Sequence, residues 1–260
     1  STATTGTITT TGSVSTVGGG DVAGAGGEVL IRHTTGVANQ AITLNAGIVA
    51  SGGASVQLGD TGGVGGVVTI LNDSGSITVH DITTDGGVPG GGTAGAGGTI
   101  QLKTGVAGNT IGQAAASTAL LARGGVAGTN DGNLKVIAKG AVTLTKTAND
   151  VGTVAASVAD NLAAFSYTDA SALTIGTVSA DGTAPANLGS LSGIATKGGA
   201  VTVVAGTTTG HTLTIDQAIN TTPTTLNTAG GAVSLTAADA ITSTATTGTI
   251  TTTGSVSTVG

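Results

Sequence analysis

Short stretches in which apolar and polar residues alternate recur along most of the chain. Examples are AITLNA (41–46), SITVHD (76–81), TIQLKT (99–104) and AVSLTA (232–237), where Thr, Ser or Gln separates two apolar residues. A period of two is typical of a β-strand with one buried face. Clusters of Gly, Asn and Asp between the stretches predict turns. We therefore expect an all-β protein, in which even the Ala-rich segment QAAASTALLAR (113–123) forms a strand rather than a short helix.

Glycine-led modules repeat within the chain. AGAGGEVLI (23–31) returns as AGAGGTIQL (94–102), and GGAVTVVAG (198–206) returns as GGAVSLTAA (230–238). A module of some 20 to 30 residues cannot bury its own apolar face, whereas stacked modules share a continuous core. The pattern therefore favours a parallel β-helix (β-solenoid) of roughly 8 to 12 coils, with an axial length of about 40 to 60 Å. A β-sandwich or closed barrel competes, but one Phe and one Tyr are few aromatic residues for such a core.

The first eighteen residues of the chain return at its end. Residues 1–18 and residues 243–260 both read STATTGTITTTGSVSTVG, without one substitution. We expect residues 1–242 to be one unit of a tandem array and residues 243–260 to begin the next copy. A β-helix gives such an arrangement a purpose, because each open end exposes unpaired strand edges that the next copy covers.

Composition and charge exclude several classes of protein. The chain has 48 Gly, 38% hydrophobic residues and a mean hydropathy of +0.39, with only 8% charged residues and three Pro. These values exclude a disordered chain and collagen. A net charge of −6 disfavours binding to nucleic acid or anionic lipid. No apolar run is long enough to span a bilayer, and no signal peptide stands at the start, as expected of an internal fragment.

Candidate catalytic and metal-binding residues are few and scattered. The chain has no Cys, so we expect neither a disulfide nor a Cys-based metal site. His80-Asp81 is the one His–Asp neighbour pair, and we interpret it as an outward pair at a strand end. TNDGN (129–133) lacks the carboxylate spacing of a calcium loop. Aspartates in Gly-rich settings are predicted to cap turns. These aspartates are Asp85, Asp131, Asp150, Asp181 and Asp239, and the other two histidines, His33 and His211, lie far from His80 in the sequence.

Binding and enzymatic functions remain as alternatives. The Thr-rich stretch TITTTGSVST (7–16) raises the possibility of a repeated face that binds glycan or ice, although Thr is also a good strand former. β-Helical polysaccharide-degrading enzymes need converging carboxylates, and two aromatic and seven basic residues offer little to hold a sugar. Phe165 and Tyr167 are two positions apart and are predicted to fill the core. We predict no catalytic residues, no cofactor and no metal.

Three segments resemble a known family. GSITVHDITTDGG (75–87), GGAVSLTAADAI (230–241) and the region 148–178, from Asn149-Asp150-Val151 to Leu173-Thr174-Ile175-Gly176, are similar to repeats of filamentous-haemagglutinin-type exoproteins. The resemblance implies a right-handed parallel β-helix that is exported across a bacterial outer membrane and acts as an adhesin, fibre or stalk. It also implies an extracellular or cell-surface location, which the absence of the oxidisable residues Cys and Met suits.

These observations predict a structural shaft repeat rather than an enzyme. The repeat is expected to act as a rigid spacer in adhesion, cell–cell contact or an extracellular filament. Its predicted partners are neighbouring copies stacked end to end, with low charge also permitting lateral bundling. Cell-surface glycans or proteins are expected to bind regions outside this segment.

Overall fold

The computed structural model describes residues 2–3, 8–10, 12–19, 23–34, 39–126, 128–184, 187–206, 208–224, 229–244 and 246–259. All regular structure within these ranges is β, so the all-β prediction is confirmed. The strands, in chain order, are β1 (Thr2–Ala3), β2 (Ile8–Thr10), β3 (Val14–Ser15), β4 (Glu28–His33), β5 (Ile42–Leu44), β6 (Ile48–Val49), β7 (Val67–Asn72), β8 (Ile77–Val79), β9 (Ile82–Thr83), β10 (Thr99–Thr104), β11 (Ile111–Gln113), β12 (Leu120–Ala122), β13 (Asn133–Ala138), β14 (Val142–Leu144), β15 (Asp150–Val151), β16 (Thr153–Asn161), β17 (Phe165–Asp169), β18 (Leu173–Ile175), β19 (Thr177–Val178), β20 (Leu191–Ser192), β21 (Ile194–Lys197), β22 (Val201–Ala205), β23 (Leu213–Ile215), β24 (Ile219–Asn220), β25 (Val233–Ala237), β26 (Ile241–Ser243), β27 (Ile250–Thr251) and β28 (Val256–Val259).

The chain coils through three parallel sheets in turn. Sheet A contains β1-β4-β7-β10-β13-β16, sheet B contains β2-β5-β8-β11-β14-β17-β22-β25-β28, and sheet C contains β3-β6-β9-β12-β15. Each stretch of chain visits A, then B, then C, and the next strand stacks in parallel on the one a coil earlier. This is a parallel β-solenoid. Sheet B has nine described strands, of which the last, β28, lies in the second copy of the eighteen-residue segment.

The upper coils rearrange one side of the solenoid. Strand β15 runs into β16 with only Gly152 between them, so the corner from sheet C to sheet A is nearly straight there. Above β16, sheet A divides. Its first branch, β18-β23-β26, stacks on the first half of β16 and takes the place of sheet C as the third side. Its second branch, β21-β24-β27, stacks on the second half of β16.

A narrow ladder of inward side chains forms the core. Successive side chains along a strand point to opposite faces of the sheet, so every second residue points into the core. The parallel register places similar residues directly above one another. Phe165 and Tyr167 both lie in this core with no exposed surface, which confirms the prediction that they fill it. The inward column at the start of the sheet B strands consists of Ile42, Ile77, Ile111, Val142, Phe165, Val201 and Val233.

The glycine-rich segments are not simple turns. Between sheet C and sheet A the chain leaves the coil and returns, at residues 50–66, 84–98 and 123–132 and in the described part of 16–27. We call this stacked set of excursions the glycine rib. Outgoing limbs stack on outgoing limbs, as in the bond from Gly52 N to Asp85 O (2.8 Å), and returning limbs on returning limbs, as in that from Gly65 N to Ala96 O (2.8 Å).

A second set of hydrogen bonds joins the two layers of the rib. Gly53 N donates to Gly24 O (2.8 Å), Gly63 N to Gly53 O (2.9 Å), Gly87 N to Gly63 O (2.7 Å) and Gly95 N to Gly87 O (3.1 Å). Each bond links an outgoing limb to a returning limb. The rib is therefore a backbone-only double layer, in which a Cβ atom has no room at many positions. The sequence predicted turns at these glycines, and the structure corrects that prediction.

The two identical segments lie on different sheets. Ile8–Thr10 forms β2 on sheet B, whereas the identical Ile250–Thr251 forms β27 on the second branch of sheet A. Val14–Ser15 forms β3 on sheet C, whereas the matching residues of Val256–Val259 belong to β28 on sheet B. The same residues therefore fit two different sides of the solenoid.

Candidate functional site

A flap covers part of the outer surface of sheet A. Residues 176–193, of which 185 and 186 lie outside the described part, leave the coil between β18 and β21 and carry the only antiparallel strand pair among the described strands, β19–β20. The flap reaches back across earlier coils. Thr99 donates its hydroxyl to Asp181 (2.6 Å), and the carboxylate of Glu28 accepts from the amide (3.0 Å) and the hydroxyl (2.6 Å) of Thr183.

A buried polar layer lies beneath the flap. Thr69, Gln101 and Lys135 occupy one column on the outer side of sheet A and have no exposed surface. The Lys135 ammonium donates to Gln101 Oε1 (3.2 Å) and to the carbonyls of Ser179 (2.8 Å) and Gly189 (2.5 Å). Burial lowers the pKa of Lys135, and the charge of Asp181 opposes that effect. Lys135 therefore holds the flap against the sheet by charge-assisted hydrogen bonds.

Replacing Lys135 with methionine is expected to release the flap and to lower the free energy of unfolding by about 2 kcal/mol, since buried carbonyls lose their donor. Hydrogen exchange of residues 176–193 should accelerate, while that of the sheet B strands stays unchanged. Lys103→Met is the matched control, because Lys103 makes none of the flap contacts described above. Equal protection of the flap in both variants would contradict this role of Lys135.

Charged residues gather at the corner between sheets C and A. Arg123 donates to Asp85 Oδ2 from Nε (3.1 Å) and Nη2 (2.5 Å), and hydrogen bonding to this carboxylate raises the pKa of Arg123. Asp131 accepts the amide of Gly124 (2.7 Å). Burial, followed by the charges of Asp150 and Asp85, raises the pKa of Asp131, although the Gly124 hydrogen bond opposes this.

Two open clefts border this corner. One of about 230 Å³ is lined by Asp85 and Arg123, and another of about 500 Å³ is lined by Asp131, Asp150, Ser171 and His211. In the part of the chain that the structure describes, no three His, Asp or Glu side chains come together in a group that could hold a metal ion.

The histidines of interest are parts of local structure. His33 is buried, and its Nδ1 pairs with the hydroxyl of Ser74 (2.7 Å). His80 Nδ1 accepts the amide of Asp81 (2.8 Å), so these two neighbouring residues are bonded locally. His211 lies on the larger cleft.

Several aspartates accept backbone amides; the sequence predicts such a role for Asp131 and Asp181, but not for Asp81. Asp81 Oδ1 accepts the amides of Thr118 (2.6 Å) and Ala119 (3.1 Å), one coil above it. Burial raises the pKa of Asp81, but these hydrogen bonds together outweigh it, so the pKa is lowered. Asp131 and Asp181 likewise accept backbone amides, whereas the Asp150 carboxylate accepts the hydroxyl of Ser171 (2.6 Å).

A buried carboxyl group that the sequence did not reveal lies in the core of β17. Asp169 has no exposed surface and accepts the hydroxyl of Tyr167 (2.6 Å), the amide of Val151 (3.0 Å) and the amide of Ser171 (2.9 Å). Burial raises its pKa to about 7, despite the opposing effect of these hydrogen bonds. Burial and the neighbouring Asp169 also raise the pKa of the Tyr167 hydroxyl. The spacing of Tyr167 and Asp169 along one strand was the available sequence signal.

Asp169 is expected to make the solenoid less stable at alkaline pH. Because its pKa is higher in the folded chain than the ordinary 3.8, its contribution to stability is full at low pH and is lost as the pH rises through about 7. Urea unfolding from pH 5 to pH 8.5 should show a decline that Asp169→Asn flattens by on the order of 3 kcal/mol. Tyr167→Phe keeps the carboxyl group and should keep the decline. An unchanged pH profile in Asp169→Asn would contradict the assignment.

Exposed apolar side chains occur at the open end of the solenoid and at the tip of the glycine rib. Strand β28 closes the described upper end of sheet B, and Val256 and Val259 are half exposed there. At the tip of the glycine rib, Val56 is 79% exposed and Leu58 is 95% exposed. These features suit contact with further protein rather than with a small molecule.

No family model, curated protein or solved structure matches the chain. Within the described ranges, the search for a membrane-spanning helix found none of sufficient length and apolar character.

Proposed function

We propose that this chain is one shaft repeat of a long fibrous protein, and that it acts as a rigid spacer. The observation that carries the proposal is the continuous inward ladder, which runs through every described coil and reaches coils of identical sequence at both ends. A rod of this kind gains length by adding whole copies, and its stability comes from contacts between neighbouring coils.

The distribution of polar groups supports a structural role over catalysis. Lys135 and Gln101 are engaged beneath the flap, Arg123 is paired with Asp85, and Asp81 caps a turn. Each of these groups stabilises one coil against another. We infer a protein without catalytic activity, in keeping with its low charge.

The finer assignment rests on the family resemblance. We propose a right-handed β-helix of the filamentous-haemagglutinin type, located outside the cell or at a bacterial cell surface. Its partners are neighbouring copies along the rod, with lateral contacts between rods through uncharged surface. Glycans or proteins of a target cell bind regions other than this segment.

Electron microscopy of the native full-length protein tests the proposal. A thin rod with an axial repeat of about 40 Å, from some eight coils at about 4.8 Å each, is expected. The 260-residue chain alone should associate end to end, so its sedimentation coefficient should rise with concentration. Compact particles without axial repeat, or a monomer at every concentration, would contradict a stacked shaft.

A column of hydroxyl groups favours a second candidate, a repeated face that binds glycan or ice. The outward second position of the sheet B strands holds Thr or Ser in every described coil except the one with Gly112. Hydroxyls spaced about 4.8 Å apart can order water or a sugar chain. Saturable binding that is lost in a Thr43→Val, Thr78→Val double variant would establish this function. The column consists of Thr9, Thr43, Thr78, Thr143, Ser166, Thr202, Ser234 and Ser257.

A further inference from the structure

We propose that successive copies of the repeat are rotated about the rod axis by one sheet, about a third of a turn. This inference rests on the proposed shaft function and adds how one copy docks on the next. It starts from the two positions of the shared eighteen-residue segment. At the end of the chain, that segment begins with Ser243, the last residue of β26 on the first branch of sheet A, and then places β27 on the second branch and β28 on sheet B. As the first coil, it places its strands on sheets A, B and C.

In a tandem array, the same eighteen residues are both the last coil of one copy and the first coil of the next. The two sets of contacts made by their second strand therefore determine how the copies are aligned. Ile250 stacks on Ile219 in the second branch of sheet A. The identical residue Ile8 stacks beneath Ile42 on sheet B. Sheet B of the following copy therefore continues the second branch of sheet A of this copy, through the ladder Ile219, Ile250 and the following copy's Ile42.

The third strand of the segment also indicates that the following copy is displaced by one sheet. Val256 stacks on Val233 in sheet B, and the identical Val14 stacks beneath Ile48 in sheet C. Sheet C of the following copy therefore continues sheet B of this copy. Val233 and Ile48 are both buried, so the junction joins two existing inward ladders.

The start of the segment indicates the same displacement by one sheet for the third side of the solenoid. Ile241 stacks on Leu213 in the first branch of sheet A, and Thr2 pairs with Arg32 of β4. Thr244 corresponds to Thr2, and Ile241 precedes it by as many residues as Val29 precedes Arg32. In that register, the following copy's Val29 lies on Ile241 and sheet A of the following copy continues the first branch. All three sides keep inward apolar residues in line.

The rotation moves the glycine rib from corner to corner. The rib projects where sheet C meets sheet A, and in the following copy that corner lies between this copy's sheet B and its first branch. Each copy makes about seven and two-thirds turns, and at about 4.8 Å per turn it rises about 37 Å. The ribs return to the same direction after three copies, or about 110 Å.

An unrotated stack breaks the observed contacts. It requires Ile250 to lie on sheet B and Val256 on a third side, one side away from the Ile219 and Val233 that they contact here. The terminal coil has therefore adopted the position that docks a rotated copy.

Spin-label distances on a two-copy chain test the rotation. The chain has no Cys, so Leu58→Cys in both copies places a label at each rib tip without further changes. A limb of about seven extended residues, from Gly52 to Leu58, holds this label about 30 Å from the axis. A rotated pair of copies predicts about 64 Å between labels, and an unrotated pair predicts about 37 Å. A one-copy chain with Leu58→Cys and Leu162→Cys serves as the control for an intact fold.

The outcomes separate the two proposals. A narrow distribution near about 64 Å supports the rotation and the shaft function together. A narrow distribution near 37 Å overturns the rotation and leaves the shaft in place. A broad distribution between copies, with an unchanged distance in the one-copy control, means that the copies do not stack and overturns both.

Discussion

Replacing Gly63 or Gly87 with alanine is expected to lower the free energy of unfolding by about 3 kcal/mol or more. A Cβ atom on Gly63 overlaps the carbonyl of Gly24, and one on Gly87 overlaps the carbonyl of Gly53. In each case the obstacle is backbone that is itself hydrogen bonded across the rib, so the two layers must separate. The expected readout is a lower urea midpoint, with faster hydrogen exchange throughout residues 50–98.

Gly112→Ala provides the matched control in the same solenoid. Gly112 lies in β11, and a Cβ atom there meets only the carbonyl of Thr143, at 3.9 Å. Its replacement should leave stability unchanged or raise it by up to about 1 kcal/mol, because alanine has fewer unfolded conformations. If Gly63→Ala and Gly112→Ala unfold alike, the rib is not the close-packed layer described here.

Replacing Asn149 with alanine is the second change expected to have a large effect, again about 3 kcal/mol or more. Asn149 is fully buried and its Oδ1 accepts from the side chain of Gln113 (2.8 Å) and the amide of Leu120 (2.9 Å). Its Nδ2 donates to the carbonyls of Leu144 (3.1 Å) and Thr168 (3.2 Å). Alanine leaves backbone groups of three coils without a partner.

An exposed asparagine provides the comparison for this variant. Asn220 accepts the amide of Thr222 (2.9 Å) at the surface, so Asn220→Ala should change the free energy of unfolding by less than about 1 kcal/mol. Equilibrium urea unfolding of both variants measures the difference. Similar midpoints would mean that water replaces the contacts of Asn149, contrary to its burial.

The alternation of apolar and polar residues along the sequence was sufficient to predict the strands of the core. Stretches such as Ile42–Leu44 alternate inward and outward because a half-buried strand requires it. Alternation specifies inward or outward but not which side of the solenoid a strand occupies. The eighteen repeated residues demonstrate this, since they fit two sets of sheets with the same inward residues.

Other features escaped prediction for physical reasons. A glycine cluster is compatible with both a turn and a close-packed layer, and only the neighbouring limbs decide between them. The flap pairs Thr183 with Glu28 across most of the chain, and no local pattern encodes such a contact. The buried carboxyl of Asp169 depends on Val151 from the coil beneath it.

In the proposed array of copies, the displaced position of the terminal coil couples the length of the rod to the direction in which its tip faces. Each added copy extends the rod and also turns whatever the rod carries by a third of a revolution. Gain or loss of a single copy therefore changes the direction around the rod axis in which a domain at the tip faces. Only a change of three copies leaves that direction unchanged. Copy number in this design sets where the tip faces as well as how far it reaches.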